Sequence, residues 1–196
     1  MLIVSMPKSS STGTWSSVAH CSGLFRGHKE DHKTYKHRVG EFTELSKMWS
    51  NAGTYHDEHL IKMAADTKNI YRAHVLPLEE NLDQLRRANT PLVVLVRKPE
   101  DILKAFDRMY GKKNFYAKNA KMLDELRYSY GVYTTSPLNG KVMLVHFEKH
   151  VLKWEKSIAR IVEHFGLEQV EKATNSKRDR YTGVGLKELL EKQNGR

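Results

Sequence analysis

The sequence of 196 residues lacks several features that define large classes of protein. Its one cysteine, Cys21, can form no intramolecular disulfide and no cysteine-based zinc site. With 5 prolines, 12 glycines and 39% hydrophobic residues, the chain is neither collagen-like nor low in complexity. The longest apolar run, residues 92–96, is far shorter than the roughly 20 residues that span a bilayer. Residues 1–4 are too few for the core of a signal peptide. We therefore expect a globular, cytoplasmic protein of one domain with no membrane span.

Acidic residues are the minority among the charged ones. The chain has 33 Lys+Arg against 23 Asp+Glu, a formal net charge of +10. This balance favours a polyanionic partner, which could be nucleic acid, an acidic glycan or a small ligand that carries several phosphates. No helix-turn-helix or RNP-type motif supports nucleic acid, so a basic nucleic-acid- or polyanion-binding protein is kept only as an alternative.

Short β-branched runs alternate with helical patterns along the chain. The runs predict strands at 2–4, 69–73, 91–96 and 142–147. The helical patterns cover 15–24, 57–65, 78–87, 99–110, 115–130 and 148–165, the last closed by Gly166 as a C-cap. This alternation predicts an α/β fold with a central, mainly parallel sheet flanked by helices.

The first predicted strand ends in a small, hydroxylated loop, Ser5-Met6-Pro7-Lys8-Ser9-Ser10-Ser11-Thr12-Gly13-Thr14, which leads into a helix. Free backbone N–H groups and the helix dipole at such a junction attract phosphate. Lys8 precedes the small residues and no G-x-x-x-x-G-K-[ST] pattern occurs, so the standard ATP or GTP loop is not expected. The alternative is a serine-rich turn with no ligand.

Polar residues also follow the next two central strands. His74 lies in Arg72-Ala73-His74-Val75-Leu76-Pro77-Leu78, and Arg97 ends a strand just before Lys98-Pro99-Glu100-Asp101. The carboxyl ends of parallel strands share one edge of the sheet, where ligands bind in open α/β folds. Each residue alone has an ordinary interpretation, His74 as a packed or surface histidine and Arg97 as a surface salt-bridge partner.

Taken in order, these segments resemble the sulfotransferases that use 3′-phosphoadenosine 5′-phosphosulfate (PAPS). Residues 7–15 are similar to the family's 5′-phosphosulfate loop, Pro-Lys-Ser-Gly-Thr-Thr-Trp, and residues 72–78 to its Lys-Thr-His-Leu-Pro-Leu segment. Residues 94–110 resemble its 3′-phosphate element, Arg-x-Pro-x-Asp followed by a helix. Residues 143–148 and the helix after them resemble its Leu-x-Tyr-Glu-Asp-Leu strand and Phe-Leu-Gly helix end. The resemblance spans about residues 1–167.

The resemblance implies a P-loop NTPase-like fold over residues 1–196, with a basic and less regular segment at 175–196. It implies sulfuryl transfer from PAPS to a hydroxyl or amine, with 3′-phosphoadenosine 5′-phosphate (PAP) as product and no metal. His74 would be the general base, and Lys8 would stabilise the leaving phosphate. The implied cofactor contacts are Lys8, Ser9, Ser10, Ser11, Thr12, Gly13, Thr14, Trp15, Arg97 and Arg180. Trp49 is a candidate for stacking on adenine.

The chain departs from the family pattern at three places. Its loop has two more residues between Pro7 and Trp15 than the family's. Ala105 stands eight residues after Arg97, where the family has a serine, so Arg97 would carry more of the contact with the 3′-phosphate. The family's Arg-Lys-Gly-x-x-Gly segment has only a loose counterpart in residues 180–185.

The acceptor implied by the resemblance is a small molecule, lipid or glycan. An acidic acceptor would suit a basic and aromatic segment that we predict to be helical, which contains Lys112, Lys113, Phe115, Tyr116, Lys118, Lys121, Tyr128 and Tyr130. A solvated basic face is the alternative interpretation of this segment. Oligomeric state is not predicted.

Two other kinds of enzyme compete with this interpretation. A nucleotide-dependent kinase with an atypical phosphate loop would prefer ATP. A metal hydrolase would use His28 and His32, spaced i and i+4, with His37 nearby. That stretch is highly charged and lacks apolar periodicity, so we expect a solvated loop there.

Overall fold

The computed structural model describes residues 1–26, 37–38, 54–55, 57–136 and 138–174. The strands in chain order are β1 (Leu2–Ser5), β2 (Phe25–Arg26), β3 (His37–Arg38), β4 (Thr54–Tyr55), β5 (Asn69–Ala73), β6 (Leu92–Val96) and β7 (Val142–His146). The helices are α1 (Ser11–Ser22), α2 (His59–Ala65), α3 (Glu79–Arg87), α4 (Pro99–Met109), α5 (Ala120–Thr135), α6 (Phe147–Leu152) and α7 (Trp154–His164).

Five strands form one sheet in the order β2-β5-β1-β6-β7, and every pairing within it is parallel. Strands β3 and β4 pair antiparallel in a separate two-stranded sheet. The predicted α/β fold with a parallel central sheet is therefore confirmed. None of the helices in the described part of the chain has the length and apolar character needed to cross a membrane.

The central strands are buried on both faces, as parallel strands covered by helices should be. In β1, Leu2 and Val4 join one core cluster, while Ile3 joins another that includes Trp154 of α7. Alternate residues of a strand point to opposite faces, so these two clusters lie on opposite sides of the sheet. Packing on both faces thus holds the sheet in place, and the loops at its carboxyl edge begin at fixed strand ends.

The helices predicted over 15–24 and 148–165 differ from the helices of the structure. Helix α1 begins at Ser11, four residues before the expected start, because the N–H of Thr14 already bonds the carbonyl of Ser10. The single helix expected over 148–165 is two helices, separated at Lys153, whose φ of −119° and ψ of 45° are not helical. Gly166 has a φ of +69°, and its N–H bonds Glu163 O, in agreement with its expected capping role.

The helix expected over 115–130 begins only at Ala120, where the side chain of Asn119 accepts a hydrogen bond from the N–H of Met122. Of the basic and aromatic residues assigned to one helical segment, only Lys121, Tyr128 and Tyr130 lie on α5. The expectation that Lys112, Lys113, Phe115, Tyr116 and Lys118 share that helix was wrong, since these residues precede it.

Strand β1 lies between β5 and β6 in the sheet. After β1, the chain therefore adds β5 on one side of it and β6 on the other. In open α/β sheets, such a switch of direction leaves a crevice at the carboxyl ends of the strands. The loop that follows β1 therefore lies where a ligand has access to the ends of three strands.

Candidate active site

The loop between β1 and α1 is held to the neighbouring strand and bent at two non-glycine residues. The N–H of Met6 bonds Leu95 O of β6 at 2.9 Å. Lys8 and Ser10 have positive φ angles of 51° and 67°. A left-handed conformation at a non-glycine residue costs of the order of 1–3 kcal/mol and is concentrated at ligand-binding loops. The two positive φ angles make this loop a candidate binding element.

The hydroxyl groups of the loop have different partners. Ser9 donates to Met6 O at 2.6 Å, and Thr14 donates to Ser10 O at 3.0 Å. The hydroxyl oxygen of Ser10 is buried and has no hydrogen-bond partner among the residues that the structure describes. A buried hydroxyl without a partner costs about 1–3 kcal/mol. A ligand that offers an acceptor oxygen at Ser10 would remove that cost.

His74 follows β5 and turns its ring toward the end of β1. Its Nδ1 lies 3.0 Å from Ser5 Oγ and 3.2 Å from Ser5 O. A carbonyl oxygen can only accept, so this geometry assigns the proton to Nδ1 and the lone pair to Nε2. Burial lowers the pKa of His74 to about 4, helped by the charges of Arg72 and Lys8 and opposed by the Ser5 hydrogen bond. The imidazole is therefore neutral near pH 7, with its lone pair on Nε2.

Arg97 follows β6 and is 7% exposed. Its Nη1 donates to Lys8 O at 2.7 Å, and its guanidinium carbon lies 3.9 Å from the centre of the Phe147 ring. A guanidinium stacked on an aromatic face and bonded to a carbonyl is held in one orientation. Arg97 thus places a fixed positive charge beside the loop.

Lys8 adds a second positive charge to the same loop. Its Nζ lies 2.6 Å from Met109 Sδ and 5.3 Å from the centre of the Phe106 ring. Within the described residues, no carboxylate pairs with Lys8. Burial, and then the charge of Arg97, lower its pKa. Two cations this close give the loop a positive potential that favours the binding of an anion.

Trp15 makes contacts that join α1 to the sheet. Its Nε1 donates to Ile70 O at 2.5 Å, and the guanidinium groups of Arg26 and Arg72 lie 5.6 Å and 5.3 Å from its ring. The predicted contact between Trp15 and the cofactor stays a prediction beside this structural role.

The structure brings three sequence-predicted residues, Lys8, His74 and Arg97, to one loop. Ser9, Ser10, Ser11, Thr12, Gly13 and Thr14 form the rest of that loop and the first turn of α1. Ala105 lies on α4. Trp49, Arg180, His28 and His32 lie outside the described residues, and His37 is described only as part of β3. Among the described residues, no group of three or more His, Cys, Asp or Glu side chains is arranged to hold a metal ion.

Sequence reasoning missed His150, whose Nε2 lies 2.8 Å from the Thr14 hydroxyl. The two residues are 136 positions apart, and His150 lies in a charged stretch at the start of a helical pattern. Nothing in that local pattern separates a buried histidine from an exposed one, so only the tertiary structure shows the contact.

The fold of this chain is similar to that of several solved structures. A sulfotransferase domain from the curacin biosynthetic pathway has a TM-score of 0.50 and 14% identity, and the match covers 98% of this chain and 96% of that one. The mouse sulfotransferase SULT7A1, solved in complex with PAP, has a TM-score of 0.50 and 15% identity. That match covers 95% of this chain but 63% of the mouse protein, so the chain spans less than two thirds of its length.

A sugar kinase from Janibacter sp. HTCC2649 has a TM-score of 0.48 and 15% identity, with 85% of this chain and 93% of that one covered. No protein-family model matches the chain, and no curated protein matches its sequence. The chain has an α/β fold similar to that of the curacin-pathway and mouse sulfotransferase structures, with the loop between β1 and α1 at the switch point of a parallel sheet.

Proposed function

We propose that this protein is a sulfotransferase that moves the sulfuryl group of PAPS to a hydroxyl or amine of an acceptor. The observation that carries the proposal is the convergence of Lys8, Arg97, His74 and the unpartnered hydroxyl of Ser10 at one loop. The fold supports it, since one of the similar structures was solved with PAP.

The donor would lie with its two phosphate-bearing ends on different parts of the site. The 5′-phosphosulfate would accept hydrogen bonds from the Ser10 hydroxyl, the first backbone N–H groups of α1 and Lys8. The 3′-phosphate would pair with Arg97, whose planar guanidinium can form two parallel hydrogen bonds to a phosphate. Ala105 offers no hydroxyl to that phosphate, so Arg97 would be its main partner.

The reaction would proceed by in-line transfer. The acceptor oxygen or nitrogen forms a bond to sulfur while the bond from sulfur to the 5′-phosphate oxygen breaks, and PAP leaves with that electron pair. Nε2 of His74 takes the proton that the acceptor loses, a role that typically contributes roughly 10²–10⁴-fold to the rate. Lys8 stabilises the negative charge that grows on the departing oxygen.

Calorimetric titration of the purified protein tests the donor site first. We expect micromolar binding of PAP, and much weaker binding of adenosine 5′-phosphosulfate, which lacks the 3′-phosphate. Equal binding of both nucleotides would contradict the assignment of a 3′-phosphate site. Preference for ATP would favour the kinase alternative, and no PAP binding would contradict the proposed function.

Two substitutions separate donor binding from proton transfer. Arg97→Ala should lower PAP affinity by about 10- to 100-fold, the effect of losing a charge-assisted contact of 1.5–3 kcal/mol. His74→Ala should leave PAP affinity unchanged and abolish transfer from radiolabelled PAPS to any acceptor found in a screen. Arg86→Ala is a matched control, because Arg86 is exposed and pairs with Glu79 on α3. Transfer that survives in His74→Ala would show that another group is the base.

A further inference from the structure

A buried chain of hydrogen bonds connects the loop to the last two helices. The Thr14 hydroxyl lies 3.0 Å from Ser10 O and 2.8 Å from Nε2 of His150, which is 1% exposed. Nδ1 of His150 lies 2.7 Å from the Ser157 hydroxyl on α7. Four residues from α1, α6, α7 and the loop are thus joined in one line, and His150 is its only titratable member.

The chemistry of these groups fixes the direction of every bond in the chain. Ser10 O can only accept, so the single hydroxyl proton of Thr14 is donated to it. The Thr14 oxygen must then accept from Nε2–H of His150, which leaves the lone pair on Nδ1 to accept from the Ser157 hydroxyl. Burial lowers the pKa of His150 to about 3, so the ring stays neutral and keeps this one tautomer at neutral pH.

This chain of hydrogen bonds fixes part of the backbone of the loop. Ser10 O and the N–H of Ser11 belong to the same planar peptide unit, so a bond that fixes one also fixes the other. Ser11 is the first residue of α1, where backbone N–H groups have no acceptor inside the helix and point toward any anion at its N-terminus. The proton of Thr14 is used within the protein, so this side chain has none left to donate to a phosphate.

We propose that His150 is a positioning residue, which acts through Thr14 to hold the Ser10–Ser11 peptide in the orientation that binds the donor's phosphosulfate. This inference rests on the proposed function, because the ligand it orients for is PAPS or PAP. In this proposal the Thr14 hydroxyl donates its hydrogen bond within the protein and does not donate one to the phosphate.

A double-mutant cycle on PAP affinity tests the proposal. Thr14→Val and His150→Leu should each weaken PAP binding by about 5- to 10-fold, the size of one hydrogen bond. The double variant should bind no more weakly than either single variant, because both changes break the same link. Losses that multiply in the double variant would overturn the proposal.

Conservative variants separate positioning from packing. In His150→Gln the amide can still donate to Thr14, and Thr14→Ser keeps the hydroxyl, so both should recover most of the PAP affinity. A Gln variant as weak as the Leu variant would overturn the proposal. If His150→Leu fails to fold, the PAP affinities of Thr14→Val, Thr14→Ser and His150→Gln still test the proposal. His164→Leu is the control. His164 bonds Leu92 O at the amino end of β6 and Lys141 O just before β7. This substitution should therefore leave PAP affinity unchanged.

A measurement without ligand distinguishes this inference from the proposed function. Nitrogen-15 spectra of the histidine rings should show the Nε2–H tautomer for His150 in the ligand-free protein. The Nε2 signal should shift in Thr14→Val, which removes its acceptor. The Nδ1–H tautomer would overturn the positioning role even if the wild type binds PAP. No PAP binding by the wild type, with the expected tautomer present, would count against the proposed function and leave the chain of bonds intact.

Discussion

The buried histidine at position 150 should make the protein sensitive to acid. The pKa of His150 is lowered to about 3 by burial, whereas an imidazole in the unfolded chain has a pKa near 6.5. Between these two values the unfolded state binds a proton that the folded state does not. Stability is therefore full above about pH 6.5 and falls as the pH is lowered toward 3. His74 also lowers the stability as the pH falls from about 6.5 to its folded pKa of about 4.

The size of this effect follows from the difference in pKa. Each pH unit below 6.5 removes about 1.4 kcal/mol of folding free energy for one such histidine. At pH 5, His150 alone therefore reduces the free energy of unfolding by about 2 kcal/mol. Since small domains are stable by only about 5–15 kcal/mol, a loss of this size is easily measured.

Urea unfolding of the wild type and of His150→Leu at pH 7, 6 and 5 isolates the contribution of His150. Leucine has no proton to bind, so the stability of the variant should fall less steeply with acid than that of the wild type. The difference between the two free energies should change by about 2 kcal/mol from pH 7 to pH 5, in favour of the variant. Parallel pH curves would refute the reasoning, because they would show that His150 titrates alike in both states.

Four further predictions concern backbone conformation and the donor site. Gly131→Ala, inside α5 with open space around its Cβ position, should stabilise the fold by about 0.5–1 kcal/mol in urea unfolding. Gly23→Ala should destabilise it by about 1 kcal/mol, because Gly23 caps α1 with a φ of +67°. Arg97→Lys keeps the charge but loses the planar fork, so titration should show PAP affinity reduced by about tenfold. Binding of PAP should raise the pKa of His74 in an NMR titration, because the anion offsets the charges of Lys8 and Arg72 that lower it; an unchanged pKa would separate His74 from the donor site.

Strands β1, β5, β6 and β7 were predictable because their buried residues leave an apolar pattern in the sequence, whereas β2, whose two residues are exposed, was not predicted. The run of β6 consists of Leu and Val without any charge, and β5 has Ile70 and Tyr71 before the charge of Arg72. Helix ends were less predictable. Residues 11–14 have small polar side chains with weak helix preference, and α1 begins there because Ser10 O accepts bonds from the N–H and hydroxyl of Thr14.

The candidate site was predictable only as far as chain order allows. Polar residues at the ends of successive strands could be placed at one edge, and the structure does place Lys8, His74 and Arg97 there. The sequence could not show that Phe147 lies under Arg97 or that His150 bonds Thr14. Both residues come from the segment after β7, and their contacts depend on how α6 packs against the loop.

The bond from Arg97 to Lys8 O links the two phosphate sites of the proposed donor. The guanidinium that would hold the 3′-phosphate also fixes the backbone of the loop that would hold the 5′-phosphosulfate. With alanine at position 105, no serine hydroxyl there would share the 3′-phosphate, so this one side chain would serve both ends of the nucleotide. Its burial and its stacking on Phe147 keep it in place before the donor arrives. A donor with both phosphates would therefore meet a site that is already ordered, whereas one without the 3′-phosphate would lose its contact with this guanidinium. The loss of that charge-assisted contact is the physical basis on which this site would select PAPS.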